Sequence, residues 1–417
     1  MWPQRFSDDS FSYSQLLTNE DLSLSDEEFD HEQELDDEEN LRSISKTQTK
    51  CSKKSIILIS TSLVILLCGA SIVTVLNIKQ TEFKNNKTKL SGNLNPIIKI
   101  KQTDPSNQTY PTFKEINQRM KDLKKSLENM RNVSLMTIGD SIETNPIKLL
   151  SISPLSELRV MPPLVWVVCG VHAREWTVPF TCLQFLEKLK SIFQSTEDNI
   201  LGFLRYKFIL VANPDGYIYS MSGERMARKN RHTGYCSEND GVDINRNFPV
   251  GFEKTADFCS DHYAGPEAFS EPESRAIRDS LAADVPWLFL SVHGNGQVWS
   301  VPYAYKNSTA PLAKISEMKF VVEKIEEKFG TFYRSGSSSQ TMYLVGGTLM
   351  DWVYEHLKVS RTFLLELKSI YPDDEAGINH FQPPLNEVKR DIVPEAWFGF
   401  KTLIEISYKN YISNISS

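Results

Sequence analysis

From residue 55 to residue 78 the chain reads SIILISTSLVILLCGASIVTVLNI, 24 positions without a charged side chain. That length crosses the hydrocarbon core of a bilayer as a helix, and a polar segment of 54 residues before it is too long for an ordinary signal peptide. After it, residues 79–109 are rich in lysine and asparagine with little apolar periodicity and read as a stalk. Periodicity starts at residue 113. Phe113, Ile116, Met120, Leu123, Leu127 and Met130 recur at intervals of three and four, and Thr112 with Glu115 has the spacing of a capping box. This predicts an amphipathic helix.

From there apolar runs alternate with helical patterns. LVWVVCGV (164–171), KFILVA (207–212), LFLSV (288–292) and RTFLLEL (361–367) read as strands. Helices are predicted from Thr177 to about Phe193, after Pro272, and from about Leu312 to Phe329. Such alternation implies an α/β domain over 110–417, with a mixed, twisted central sheet flanked by helices. No internal repeat is visible.

Charge changes the picture only at the start. Residues 1–54 hold 14 Asp/Glu and 6 Lys/Arg, a net of −8; since the whole chain carries −7, the rest sums to +1. The acidic tail repels itself and is predicted to be disordered and cytoplasmic. Ser25 as a phosphorylation site and Tyr13–Leu16 as a sorting signal rest on patterns too short to count as sites. A nearly neutral remainder gives no reason to invoke nucleic acid. All five Asn-x-Ser/Thr sequons, at Asn86, Asn107, Asn132, Asn307 and Asn414, follow the apolar segment. They are expected glycosylation sites if that segment is a signal-anchor and the larger part faces the lumen or exterior, a type II topology. Cleavage near Ala70 with release of a secreted protein stays open.

Of six cysteines, Cys51 and Cys68 sit at or in the membrane segment, Cys51 being open to palmitoylation. Cys169 and Cys182 fall in apolar periodic positions and read as buried thiols. Cys236 and Cys259 flank a polar loop and are the expected disulfide.

Polar residues collect where the predicted strands end: His172 after the first, Asn213 after the second, His293 after the third and Glu366 within the fourth. In open α/β sheets that edge binds ligands. A catalytic zinc site needs imidazole and carboxylate donors with one position left for water. His172 and Glu175, three apart as the chain leaves a strand, can turn to one point, and His293 can supply a third ligand.

The stretches HAREW, NPDGY, RMARKNR, GVDINRNF, SVHGNGQ, YLVGGTLMDW and TFLLEL, in that order between about Tyr110 and Ile406, resemble the zinc carboxypeptidases of the pancreatic A/B type. The resemblance implies one Zn2+ held by His172, Glu175 and His293, with Asp243 orienting the first histidine. It implies Glu366 as general base and proton shuttle, Arg228 as the oxyanion-stabilising group, and Asn245 with Arg246 as the clamp for a C-terminal carboxylate. Arg174 and Tyr343 would line the substrate site. The separation of Cys236 and Cys259 is similar to the family's disulfide loop.

Met350 stands where the family sets side-chain preference, so the expected substrates are peptides or proteins with hydrophobic C-terminal residues, cut one residue at a time. There are departures. Asn295 replaces a frequent aromatic, Ala227 a usual tryptophan, and the segment after Glu366 is longer, which brings Asp373, Asp374 and His380 into play for selectivity. The stretch 79–109 is too short for a folded inhibitory pro-domain, so no intrinsic zymogen control is expected. Two other readings stay open: a membrane-anchored binding protein with the fold but no activity, and a hydrolase of non-peptide amides or esters. Oligomeric state is not legible.

Overall fold

A computed structural model describes residues 109–155, 161–195, 199–311, 314–372 and 377–416. The predicted tail (1–54), the membrane segment (55–78), all of the stalk but Thr109, the sequons Asn86 and Asn107, Cys51, Cys68, Asp373 and Asp374 lie outside these residues. Among the described residues no helix is long and apolar enough to cross a membrane.

One eight-stranded mixed sheet organises the domain, with strands β1 (Arg131–Asp140), β2 (Pro146–Pro154), β3 (Leu164–Val168), β4 (Arg205–Ile209), β5 (Leu288–Gly294), β6 (Val298–Val301), β7 (Arg334–Ser337) and β8 (Arg361–Leu367). Their order is β1-β2-β4-β3-β5-β8-β6-β7. The inner four, β4, β3, β5 and β8, run parallel, whereas β2 joins β4 and β6 joins β8 antiparallel. Parallel strands need crossovers, and these are helices on both faces.

The longer helices are α1 (Phe113–Leu127), α2 (Thr177–Gln194), α3 (Pro214–Ser222), α4 (Pro272–Ala283), α5 (Ile315–Phe329), α6 (Leu349–Glu355) and α7 (Val393–Ser416). The capping box of α1 is present: Glu115 N donates to Thr112 Oγ1 at 3.3 Å and Thr112 N to Glu115 Oε2 at 2.7 Å. Its apolar stripe, Ile116, Met120, Leu123 and Leu127, is buried. At its other end the sheet is crossed by α5, which starts at Ile315 rather than Leu312 and stops at Gly330, whose φ of 67° is left-handed.

Successive residues of β3 serve opposite cores. Val165 and Val167 pack with α1, α2, α5 and α7, while Leu164, Trp166 and Val168 pack with α4 and α6. That two-sided burial is why the run has no polar alternation. The strand ends at Val168, three residues before the apolar run does.

Two disulfides are formed. Cys236–Cys259 is the expected one. Cys169 and Cys182, read from sequence as buried thiols, are joined as well. Cys169 leaves β3 and Cys182 lies in the second turn of α2, which folds back over the strand end and brings the two Cα atoms within 6.8 Å. Apolar periodicity reports burial and cannot separate a thiol from a bond between two of them.

Candidate active site

The carboxyl ends of β3, β5 and β8 meet at one edge of the sheet. Beyond β3 the chain must turn sharply, and Gly170 does this with φ of +64°; a Cβ there would stand 2.8 Å from the carbonyl oxygen of Leu210. The turn sets His172 and Glu175 side by side, His172 Nδ1 2.7 Å from Glu175 Oε1. From β5, His293 Nδ1 comes within 3.2 Å of His172 Nδ1 and 3.6 Å of Glu175 Oε2. All three residues are buried, and one ligand atom from each lies within 4.8 Å of the others.

Each ring's other nitrogen has a polar neighbour. His172 Nε2 lies 3.3 Å from Asp243 Oδ1, and His293 Nε2 lies 2.9 Å from Ser291 Oγ. Both Nδ1 atoms are thereby left to converge with the carboxylate, an N2O donor set that fits zinc. Ser291 was not singled out from sequence, although the two-residue period of a strand places it on the same face as His293.

The charges around these groups are opposed. Burial and the Arg228 charge pull His172 below the ordinary imidazole range, against Glu175 and Asp243. Burial also acts to lower His293, but the hydrogen bond and charge of Glu175 outweigh it and leave it raised. For Glu175 burial favours the neutral acid, and the two histidines overcome that, holding it well below the carboxylate range.

Asp243 is the hub of the site. It is fully buried, yet Arg228, Arg246 and His172 hold its carboxyl well below the usual range. Arg228 binds Oδ2 through Nε at 3.0 Å and Nη2 at 2.9 Å. The amide of Asn245 donates to Oδ1 at 2.9 Å.

Glu366 pairs in register with His293 across β5 and β8 and accepts from the Gly296 amide at 3.3 Å. Burial, reinforced by the charge of Glu175, pushes its carboxyl up to about 7. A group poised there can hold or release a proton near neutral pH.

His172, Glu175, Arg228 and Glu366 line a cleft of about 560 Å³, counting its open mouth, together with Asn245, Arg246, Tyr343, Met350, Leu364 and Phe381. Arg246 Nη2 donates to the Tyr343 hydroxyl at 3.0 Å, and Asn245 Oδ1 accepts from the Leu349 amide at 3.0 Å, which turns its NH2 outward. Met350 is 1 % exposed and packs with Ala304 and Leu364, flanked by Met342 and Val345. Arg174 pairs with Asp261 at 2.9 Å and lies 5.0 Å over the Phe381 ring. Phe381 and Leu364 were not read as site residues. Asn295, noted as a departure, donates to the His380 carbonyl, and the His380 ring is engaged by Ser369 Oγ at 3.0 Å. Asn132, Asn307 and Asn414 are exposed, away from these contacts.

Comparison with known proteins agrees with this geometry. A family model described as zinc carboxypeptidase matches residues 116–396. Carboxypeptidase A1 of Bos taurus is 32% identical over 314 residues, 72% of this chain and 71% of its own, and carboxypeptidase A2 of Mus musculus is 31% identical over 306 residues, 71% and 70%. Among solved structures, bovine thrombin-activatable fibrinolysis inhibitor in complex with tick carboxypeptidase inhibitor superposes with a TM-score of 0.64 at 28% identity, covering 72% of this chain and 98% of that one. Carboxypeptidase A from Helicoverpa armigera gives 0.62 at 27%, covering 74% and 76%.

Proposed function

The chain belongs to the zinc carboxypeptidase family, and on that premise we propose that it removes single hydrophobic residues, aliphatic or aromatic, from the C-termini of peptides at a membrane surface. It is a metallocarboxypeptidase with zinc as its cofactor. The observation that supports the side-chain preference is the cleft floor. Met350, Leu364 and Ala304 form an apolar end, where a basic side chain would need a carboxylate. The neighbouring Asp351 is occupied, accepting from the amides of Ala304 and Tyr305 at 2.9 and 3.1 Å.

His172, Glu175 and His293 would hold zinc, which would polarise the scissile carbonyl as a Lewis acid and acidify water. The rest falls to side chains of this chain. Arg246, with the Asn245 amide and the Tyr343 hydroxyl beside it, holds the substrate's terminal carboxylate through a planar fork of donors. Glu366 takes a proton from water and returns it to the leaving nitrogen. Arg228, kept charged by its pairing with Asp243, stabilises the carbonyl oxygen as negative charge develops.

The membrane setting is supported by the charge-free segment 55–78, by sequons confined to the part after it, and by two disulfides, which persist in oxidising compartments. Those three features support a type II arrangement with the catalytic domain lumenal or extracellular. The competing reading, an inactive binding protein, is disfavoured because the donor set and Glu366 are all in place. Full-length protein in detergent, given matched peptides ending in Phe, Leu, Lys and Glu with and without chelator, tests the proposal. Chelator-sensitive release of Phe and Leu is expected. Preferred release of Lys or Glu would discard the pocket argument, and a folded, zinc-loaded protein that releases nothing would discard the enzyme.

A further inference from the structure

The cleft wall that carries Phe381 has little regular structure of its own. A four-residue helix, Ile378–Phe381, runs straight into Gln382, Pro383 and Pro384. Prolines bring no amide donor and a helix end leaves carbonyls unpaired, so the placement of this stretch depends on donors from elsewhere. Three come. Asn295, just past β5, donates to the His380 carbonyl. Arg225, just past α3, gives Nη2 to the Phe381 carbonyl at 2.8 Å and Nε to Gln382 Oε1 at 2.9 Å. Tyr110, where the upstream chain enters the domain, gives its hydroxyl to the Pro383 carbonyl at 2.8 Å in a buried contact.

Tyr110 is itself tightly held. Its ring meets Trp176, the residue after the ligand Glu175, edge-on at 5.8 Å, and Phe180 at 6.3 Å. The next carbonyl along, of Pro111, accepts from the Tyr217 hydroxyl at 2.8 Å. Burial pushes the Tyr110 phenol far above its ordinary range, so it remains a donor throughout the physiological span. Phe381 lines the cleft together with Arg246 and Met350 and lies beneath Arg174; with Arg246 and Met350 assigned to the terminal residue, Phe381 is left for the part of the peptide before the scissile bond.

We propose that Tyr110 is a positioning residue: through the Pro383 carbonyl it fixes the 380–383 wall, and so determines how Phe381 grips the upstream part of a bound peptide. This rests on the exopeptidase reading above. It makes the entry point of the chain part of the substrate-binding apparatus rather than a mere attachment.

The test uses full-length Tyr110→Phe, which keeps the ring and removes the donor. Two substrates sharing a C-terminal Phe are compared, an N-acylated dipeptide and a pentapeptide. The expected result is a KM for the pentapeptide raised about fivefold, the worth of one hydrogen bond, with kcat unchanged and a smaller rise for the dipeptide, which has less chain before its scissile bond. In a Phe381→Ala background the same change should add nothing. Amide exchange of Gln382, whose N–H donates to Ile378 O at 2.8 Å, should quicken in Tyr110→Phe whether or not the protein turns over peptide. Equal losses on both substrates, effects that multiply in the double variant, or unaltered exchange would each overturn the proposal. Faster exchange in a protein with no turnover would support the anchor and overturn the exopeptidase reading instead.

Discussion

His293 and Glu366 are register partners on adjacent parallel strands, β5 and β8. A metal ligand and the proposed base are therefore spaced by the hydrogen-bond ladder of the buried sheet, and no loop movement is needed to bring them together.

Glu366→Gln keeps the shape of the site and removes the proton acceptor. Turnover should fall about 10²–10⁴-fold with zinc content and thermal midpoint close to wild type. Loss of zinc along with activity would mean that the carboxylate matters for the metal and not for proton transfer.

Removing the metal should act on fold and activity together, because a ligand bound only by the native state stabilises it. Dialysis against chelator is expected to abolish turnover and lower the melting temperature, and one equivalent of Zn2+ per chain should restore both. The check is metal analysis beside calorimetry; a melting curve indifferent to zinc would argue against a buried three-residue site.

Met350→Asp places a carboxylate in the apolar floor. The ratio of kcat/KM for C-terminal Lys over Phe should rise about 10–100-fold, at a cost in stability from burying the charge when no cation is bound. An unaltered ratio in a folded variant would show that another residue sets the preference.

Outside the cleft lining, burial and the charges of Glu271 and Asp215 raise Glu273 to about 7. In the folded state it keeps its proton up to that pH, whereas in the unfolded chain it loses it near 4.5. Its contribution is therefore present in full below 4.5 and is lost as pH rises to about 7, up to about 3 kcal/mol in all. Glu273→Gln should gain stability relative to wild type between pH 5 and pH 8. The same difference measured by urea unfolding at both pH values would rule out this titration.

How much of this was legible beforehand depended on burial. β3, β5 and β8 announced themselves because both faces are buried, β4 did so with its ends displaced, running Arg205–Ile209 where the apolar run is 207–212, and α1 did because its stripe and capping box agree. The outer strands β1, β2, β6 and β7 did not. β1 has no fully buried residue and β7 is a four-residue RSGS, so neither carries an apolar run to read. At the site, His172, Glu175, His293 and Glu366 were marked by their place at strand ends. Phe381 was not, because its role depends on a fold-back held by Asn295, Arg225 and Tyr110, contacts that span 85, 156 and 273 positions of sequence. The Cys169–Cys182 bond was hidden for a related reason, since only the return of α2 brings the two sulfurs together.

That bond encloses both His172 and Glu175 in one covalent ring whose ends are 13 positions apart in sequence. A chain oxidised first meets zinc with two of its three ligands already confined to a small loop, so less chain entropy is lost on metallation. A chain made where thiols stay reduced must gather the same two ligands from an open segment, at a larger cost in chain entropy.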